Sequence, residues 1–229
     1  MIHTRSFAIS IVVILFLIPL ANAQDVSSYR NYNLGMNLAA VAEQADLKIS
    51  EARTIYGRPA MIQELQWRPA NSYNSPGQAD PVSEIRFVFF NDELYRILVS
   101  YNHDRTDGLT NRDLIERISV KYGTPTNPAE QIKIYSSSYL SNQDEQVIAR
   151  WEDSQYSSNL FRASYQSTPG MLIFSKRLEL LAQAAIVEAN RLDAQEAPQR
   201  EIDRKRKQDE ENKAAGQKIR PVNKENFRP

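Results

Sequence analysis

The stretch Glu84-Ile-Arg-Phe-Val-Phe-Phe-Asn-Asp-Glu-Leu-Tyr-Arg-Ile-Leu-Val-Ser-Tyr101 leaves little freedom in local structure. Ile85, Phe87 and Phe89 recur with a period of two, and Tyr95, Ile97, Val99 and Tyr101 do the same on a return strand. β-Branched and aromatic side chains suit a pleated surface. Asn91-Asp92 between the two runs tolerates the positive φ of a two-residue hairpin turn. The opposite face is also apolar, at Val88, Phe90, Leu94 and Leu98. A lone ribbon of two strands is marginal in water, so the remaining chain must add strands and cover both faces. The expected class is α+β, an antiparallel sheet of about five to six strands covered by short helices, with a long C-terminal helical arm.

Before the hairpin, Met1 to Ala23 has the parts of a secretory signal: Arg5, an apolar run from Phe7 to Leu20, and Ala21-Asn22-Ala23 as a cleavage site. Cleavage there would make Gln24 the first residue; an uncleaved anchor is the alternative. Asn37 is placed to cap a short helix bearing Leu38, Val41 and Ala45. A second short helix is expected over 50–56, ended by Gly57 and Pro59. Met61 to Arg68 alternates as a strand, and Pro69 to Pro81 reads as a loop.

Beyond the hairpin, Thr110 and Asp113 form a capping-box pattern ahead of Leu114, Ile115, Ile118 and Tyr122, with Gly123 and Pro125 as the stop. Strands are expected over 146–151, 160–165 and 171–174. The domain 24–174 thus divides into two loosely similar halves, 33–101 and 107–174. Each carries a helix, a Tyr-Gly-x-Pro motif and a tryptophan-bearing strand, Trp67 in one and Trp151 in the other.

The Leu34-Gly35-Met36 opening, the amphipathic helix, Gly57-Arg58-Pro59, the Trp67 strand and the Ile-x-Phe-x-Phe hairpin resemble the BamE-like group. These are small outer-membrane lipoproteins of the β-barrel assembly machinery. Tandem copies of such a module resemble secreted β-lactamase-inhibitor proteins. The resemblance implies a helix-and-sheet binding module without enzymatic activity, holding no cofactor. The chain departs from the group in lacking a lipidated cysteine and in carrying its C-terminal arm, and no binding residue carries over.

The arm starts at Ser175, which can cap an amphipathic helix over 175–197 with a stripe of Leu178, Leu181, Ala182, Ala185, Ala189 and Leu192. That stripe can dock on the hairpin around Val88, Phe90, Leu94 and Leu98, or pair as a coiled coil. Pro198 is expected to interrupt the helix. The tail 198–229 is charged on every side, helical or disordered, and ends in Ile219, Val222 and Phe227, which could anchor a docking peptide.

Chemistry-bearing residues are sparse. The chain has no cysteine, which excludes disulfides, thiolate metal sites and cysteine nucleophiles. His103 is the single histidine beyond the expected signal, in a turn beside Asp104 and Asp107. There is no phosphate-cradling glycine loop, nucleophile elbow or His-Glu-x-x-His motif. From Gln199 to Pro229 ten Lys or Arg face six Asp or Glu, while the body, 24–198, carries 17 against 22. Export and the following Asp209-Glu210-Glu211 argue against nucleic acid as the partner of Arg204-Lys205-Arg206-Lys207. An anionic surface remains a candidate contact for the basic tail.

The expectation is an exported, periplasmic or secreted protein with no transmembrane segment in the mature chain and no enzymatic activity. It would bind a protein of the cell envelope through Val88, Phe90, Leu94 and Leu98, or through Ile219, Val222 and Phe227. The alternative is an envelope hydrolase acting on glycan or peptide through paired carboxylates, which requires a concave pocket where they converge.

Overall fold

The computed structural model describes residues 25–69, 80–126, 131–135, 142–162, 168–226 and 228. The expected signal, 1–23, and most of the loop ahead of the hairpin lie outside them.

A small hairpin opens the described chain, β1 (Ser28–Tyr29) with β2 (Tyr32–Asn33). Helix α1 (Leu38–Gln44) follows, capped by Asn37, whose side chain accepts from the Ala40 amide at 2.8 Å. Strands β3 (Arg53–Tyr56), β4 (Ile62–Trp67), β5 (Val82–Phe90) and β6 (Glu93–Tyr101) then form a meander. After the single turn α2 (His103–Thr106) comes α3 (Asn111–Tyr122), with the capping box between Thr110 and Asp113 in place and Gly123 ending it at φ 78°. A second meander runs β7 (Gln131–Tyr135), β8 (Asn142–Glu152), β9 (Tyr156–Arg162) and β10 (Pro169–Ser175), and α4 (Lys176–Asn226) completes the chain.

The class is α+β, and all eight large strands make one antiparallel sheet in the order β3-β4-β5-β6-β10-β9-β8-β7. Each half of the sequence contributes four consecutive strands. They meet at the last strand of each, where Val99 lies opposite Met171, Leu98 opposite Leu172, and Ile97 opposite Ile173. Trp67 on β4 and Trp151 on β8 occupy corresponding strands, each third from this seam.

Three expectations need correction. The sheet has eight strands rather than five or six. Residues 50–56, expected as helix, form only a 3-10 turn at Ile49–Glu51 before β3, because Arg53-Thr-Ile-Tyr56 pairs with β4. Tertiary pairing of a β-branched and aromatic run outweighs local helical spacing there. The Gly57-Arg58-Pro59 motif therefore follows a strand, whereas Gly123-Thr124-Pro125 follows a helix. Finally, α4 runs unbroken through Pro198 and Pro221. Proline removes one helical donor, and close by the Arg200 guanidinium donates to the Asp193 carbonyl at 2.8 Å.

The main core lies on one face of the sheet. Leu65, Phe87, Phe89, Ile97, Leu160 and Met171 are covered by Leu38, Val41 and Ala42 of α1, Leu114 and Tyr122 of α3, and Tyr29 and Tyr32 of the first hairpin. Trp151 is in this core, with its indole N–H donating to the Gly123 carbonyl at 2.8 Å. Trp67 is only partly buried against it, with the Arg30 guanidinium 5.9 Å from its ring.

The turn of the central hairpin also locks its neighbours. Asn91 and Asp92 adopt φ 48° and 69°. The Asn91 amide donates to the Met61 carbonyl at 2.8 Å, and its side chain accepts from the Met61 amide at 2.9 Å. Asp92 accepts from the first amide of α1, that of Leu38, at 3.0 Å.

Candidate functional site

The second face of the sheet is where Val88, Phe90 and Leu98 of the expected binding residues fall, and its geometry depends on one bulge. Val88 lies opposite Arg96 but Phe89 lies opposite Leu94, so Tyr95 is an extra residue on β6. The bulge exchanges two faces. Leu94 sits fully buried in the main core, and Tyr95, expected there with Ile97, instead joins Ile62, Val88 and Phe90 on the second face. A strict period of two could not anticipate this, because one inserted residue inverts the parity of everything before it.

Helix α4 covers that face across the first meander. Leu178 and Ala182 pack with Ile62 and Tyr95, and Ile186, Val88 and Phe90 close the cluster. Leu98 is buried in a separate cluster with Val147, Phe161 and Leu172. Of the expected surface, Leu94 and Leu98 are thus buried, and Val88 and Phe90 are half-buried against the chain's own helix. The docked stripe is narrower than expected. Leu181 is largely exposed, while Ala189 is buried.

A buried ion pair fixes the docking. Arg96 on β6 donates through Nε to Glu179 Oε2 at 3.0 Å and through a terminal nitrogen to Oε1, and Gln183 donates to Oε1 at 2.8 Å. Both charged side chains are more than nine-tenths buried. Sequence reasoning missed this pair. Its signal was an arginine inside the apolar run Leu94 to Val99 and a glutamate beside the helix stripe. About three turns further on, Tyr56 donates to Asn190 at 3.4 Å, and beyond it Arg58 pairs with Glu196 at 2.5 Å and Asp193 at 3.4 Å. The Arg58 pairing holds the Glu196 carboxyl below its usual range.

Past Arg200 the helix meets no part of the body among the described residues. Ile202 and Ile219 are each more than half exposed. Val222 belongs to the helical backbone, and Phe227 lies outside the described residues. The 26 residues after Arg200 that remain helical extend about 39 Å at 1.5 Å per residue. Their first part is laced by short-range ion pairs: Arg204 and Lys205 with Glu201, Arg206 with Asp203, and Lys207 with Glu211.

One cleft lies at the start of α4, about 320 Å³, lined by Gly35, Glu93, Tyr156, Ser175 and Arg177 among others. It brings together a single carboxylate, Glu93, with Arg177 at 3.9 Å. His103 is exposed at the start of α2, whose cap Asn102 accepts from the Asp104 amide at 2.9 Å. Among the described residues no group of three or more His, Asp or Glu could hold a metal ion. Among the described residues the carboxylates with perturbed acidity are all shifted down. Ser27 hydroxyl donation does this to Asp25, Arg30 to Asp80 and the Thr110 hydroxyl to Asp113. Buried phenols move the other way: desolvation raises Tyr29, Tyr101 and Tyr122.

No protein-family model matches the chain, and no curated protein matches it. A solved cysteine-rich secretory protein from Staphylococcus aureus subsp. aureus Mu50 aligns over 63% of this chain at 8% identity and a TM-score of 0.32. The chain spans 44% of that protein, and so low a score bears on neither fold nor activity. No helix among the described residues is long and apolar enough to cross a membrane.

Proposed function

We propose that the protein is an exported, periplasmic interaction module without enzymatic activity, built as a tandem BamE-like helix-and-sheet unit, which engages a protein of the cell envelope through the free part of α4. One observation carries this reading. The helix seals the apolar sheet face with its first turns, is clamped as far as Glu196, and then continues for about 39 Å with no cover from the body among the described residues. A free helix of that length with almost no large apolar residue gains no packing energy of its own, so its selective use lies in reaching something else. Among the described residues the hydrolase alternative lacks such an observation, since the cleft beside Arg177 gathers one carboxylate where glycoside or peptide hydrolysis needs two or a metal.

The test is a crosslinking pull-down from envelope extract, comparing the chain from Gln24 to Pro229 with one ending at Gln199. Capture of the same protein by the longer chain alone supports the reading. Capture by both moves the site to the body, and capture by neither, with turnover of a glycan or peptide by the purified chain, replaces it with the hydrolase.

A further inference from the structure

Charge is segregated along the free helix. From Gln199 to Glu211 five cations are balanced by five carboxylates. From Asn212 to Lys224 there is no acidic residue, and Lys213, Lys218, Arg220 and Lys224 stand among small or neutral neighbours. None of these four makes an ion pair within 4.0 Å among the described residues, whereas Arg204, Lys205, Arg206 and Lys207 all do. The helix macrodipole accounts for cations only in the final turn. Lys213 lies 13 residues before the helix end at Asn226, so the dipole does not explain it.

We propose that this end of the arm, where Glu225 is the single acidic side chain after Glu211, docks on an anionic phospholipid surface. Lys213, Arg220 and Lys224 follow one another at i, i+7 and i+11, which puts them on a single stripe of the helix, and all three are exposed. Gly216 leaves a shallow depression beside that stripe, bordered by Ile219, Arg220, Asn223 and Lys224. It offers a headgroup phosphate two cations at once, and exposed Ile219 a place at the interface.

The stalk explains why the cations are carried out so far. The body, 24–198, is acidic by five charges, and the helix from Arg200 to Asn212 adds about 18 Å. That is more than twice the Debye length of about 8 Å at physiological ionic strength. At that distance the body neither neutralises the tip nor is pressed against a surface of its own sign. With Glu225 as its single acidic side chain against Lys213, Lys218, Arg220, Lys224 and Arg228, the tip meets little like-charge repulsion there.

The inference rests on the reading of the arm as the working part of the protein. It is tested by co-sedimentation of the chain starting at Gln24 with vesicles of neutral phosphatidylcholine and with vesicles containing about 30 mol% phosphatidylserine. Each Lys or Arg near such a surface contributes about fivefold to partitioning. The triple variant Lys213→Gln, Arg220→Gln, Lys224→Gln should therefore lose roughly 100-fold on anionic vesicles while keeping its helical circular dichroism. High salt should remove binding of the parent chain.

Three results would overturn the proposal: equal partitioning on neutral vesicles, full binding by the triple variant, or full binding by a chain ending at Gln199. Absence of vesicle binding beside arm-dependent capture of a protein would also overturn it and leave the functional reading intact. Capture unaffected by the arm would remove that reading instead.

Discussion

The carboxylate of Glu179, in the first turn of α4, accepts hydrogen bonds from the guanidinium of Arg96 on β6, 83 residues earlier, inside an otherwise apolar contact. Two charges withdrawn from water are costly unless paired, so removing one partner is worse than removing both. Glu179→Ala should lower unfolding stability by about 3 to 5 kcal/mol, and the double variant Arg96→Met, Glu179→Leu should come within about 1 to 2 kcal/mol of the parent. Urea midpoints of the parent, the single variants Arg96→Met and Glu179→Leu and their double variant, with Glu179→Ala beside them, decide it. Additive losses would mean that the pair is not coupled.

The seam between the two meanders depends on the absence of a side chain at Gly170. A Cβ there would lie 2.4 Å from Phe161 Cζ and 2.8 Å from the Val99 carbonyl oxygen. The ring can move and the backbone of β6 cannot move cheaply. Gly170→Ala should therefore cost about 1 to 3 kcal/mol, and adding Phe161→Leu should restore only part of it. Complete restoration in thermal unfolding would place the whole strain on the ring.

Much of this fold was legible because local signals and tertiary demands agreed. The Asn91-Asp92 turn, the Thr110 capping box and the docking of the α4 stripe follow from residue chemistry that acts over a few positions. What was not legible needed knowledge of partners. The helical reading of 50–56 failed because β4 requires a neighbour, and the extra residue at Tyr95 moved Leu94 to the other face without any mark in the sequence. Strand β7 carried no pattern strong enough to read. The binding residues expected on the sheet were apolar for a reason that the sequence left open, and α4 supplies that reason at Val88 and Phe90.

At the start of the chain, Arg30 pairs with Asp80 at 2.5 Å and reaches over the rings of Tyr29 and Trp67. The Arg30 hydrogen bond lowers the Asp80 carboxyl below its ordinary 3.8. A group whose folded value is depressed contributes stability above its unfolded value and loses it as pH falls through the folded one. Both partners are partly exposed, so the contribution is below about 1 kcal/mol. Asp80→Asn should be less stable than the parent at about pH 7, and the gap should close as pH falls through the depressed folded value of Asp80. A gap that persists in acid would assign the difference to the backbone acceptor that Asp80 provides for the Val82 amide at 2.8 Å.

The two parts of α4 should separate cleanly on truncation. A chain ending at Gln199 keeps the Arg96–Glu179 pair, the Leu178 and Ala182 packing and the Arg58–Glu196 bridge. It gives up only residues beyond the last of these body contacts, so its urea midpoint should match the parent within about 0.5 kcal/mol while helical ellipticity falls. A chain ending at Ser175 uncovers Ile62, Tyr95, Val88 and Phe90 together. Deprived of Leu178 alone, the site forfeits roughly 2 to 5 kcal/mol, and the uncovered apolar face should drive association visible by light scattering. Loss of stability in the longer truncation product would mean that the free helix contributes to the body after all, through contacts beyond Gln199.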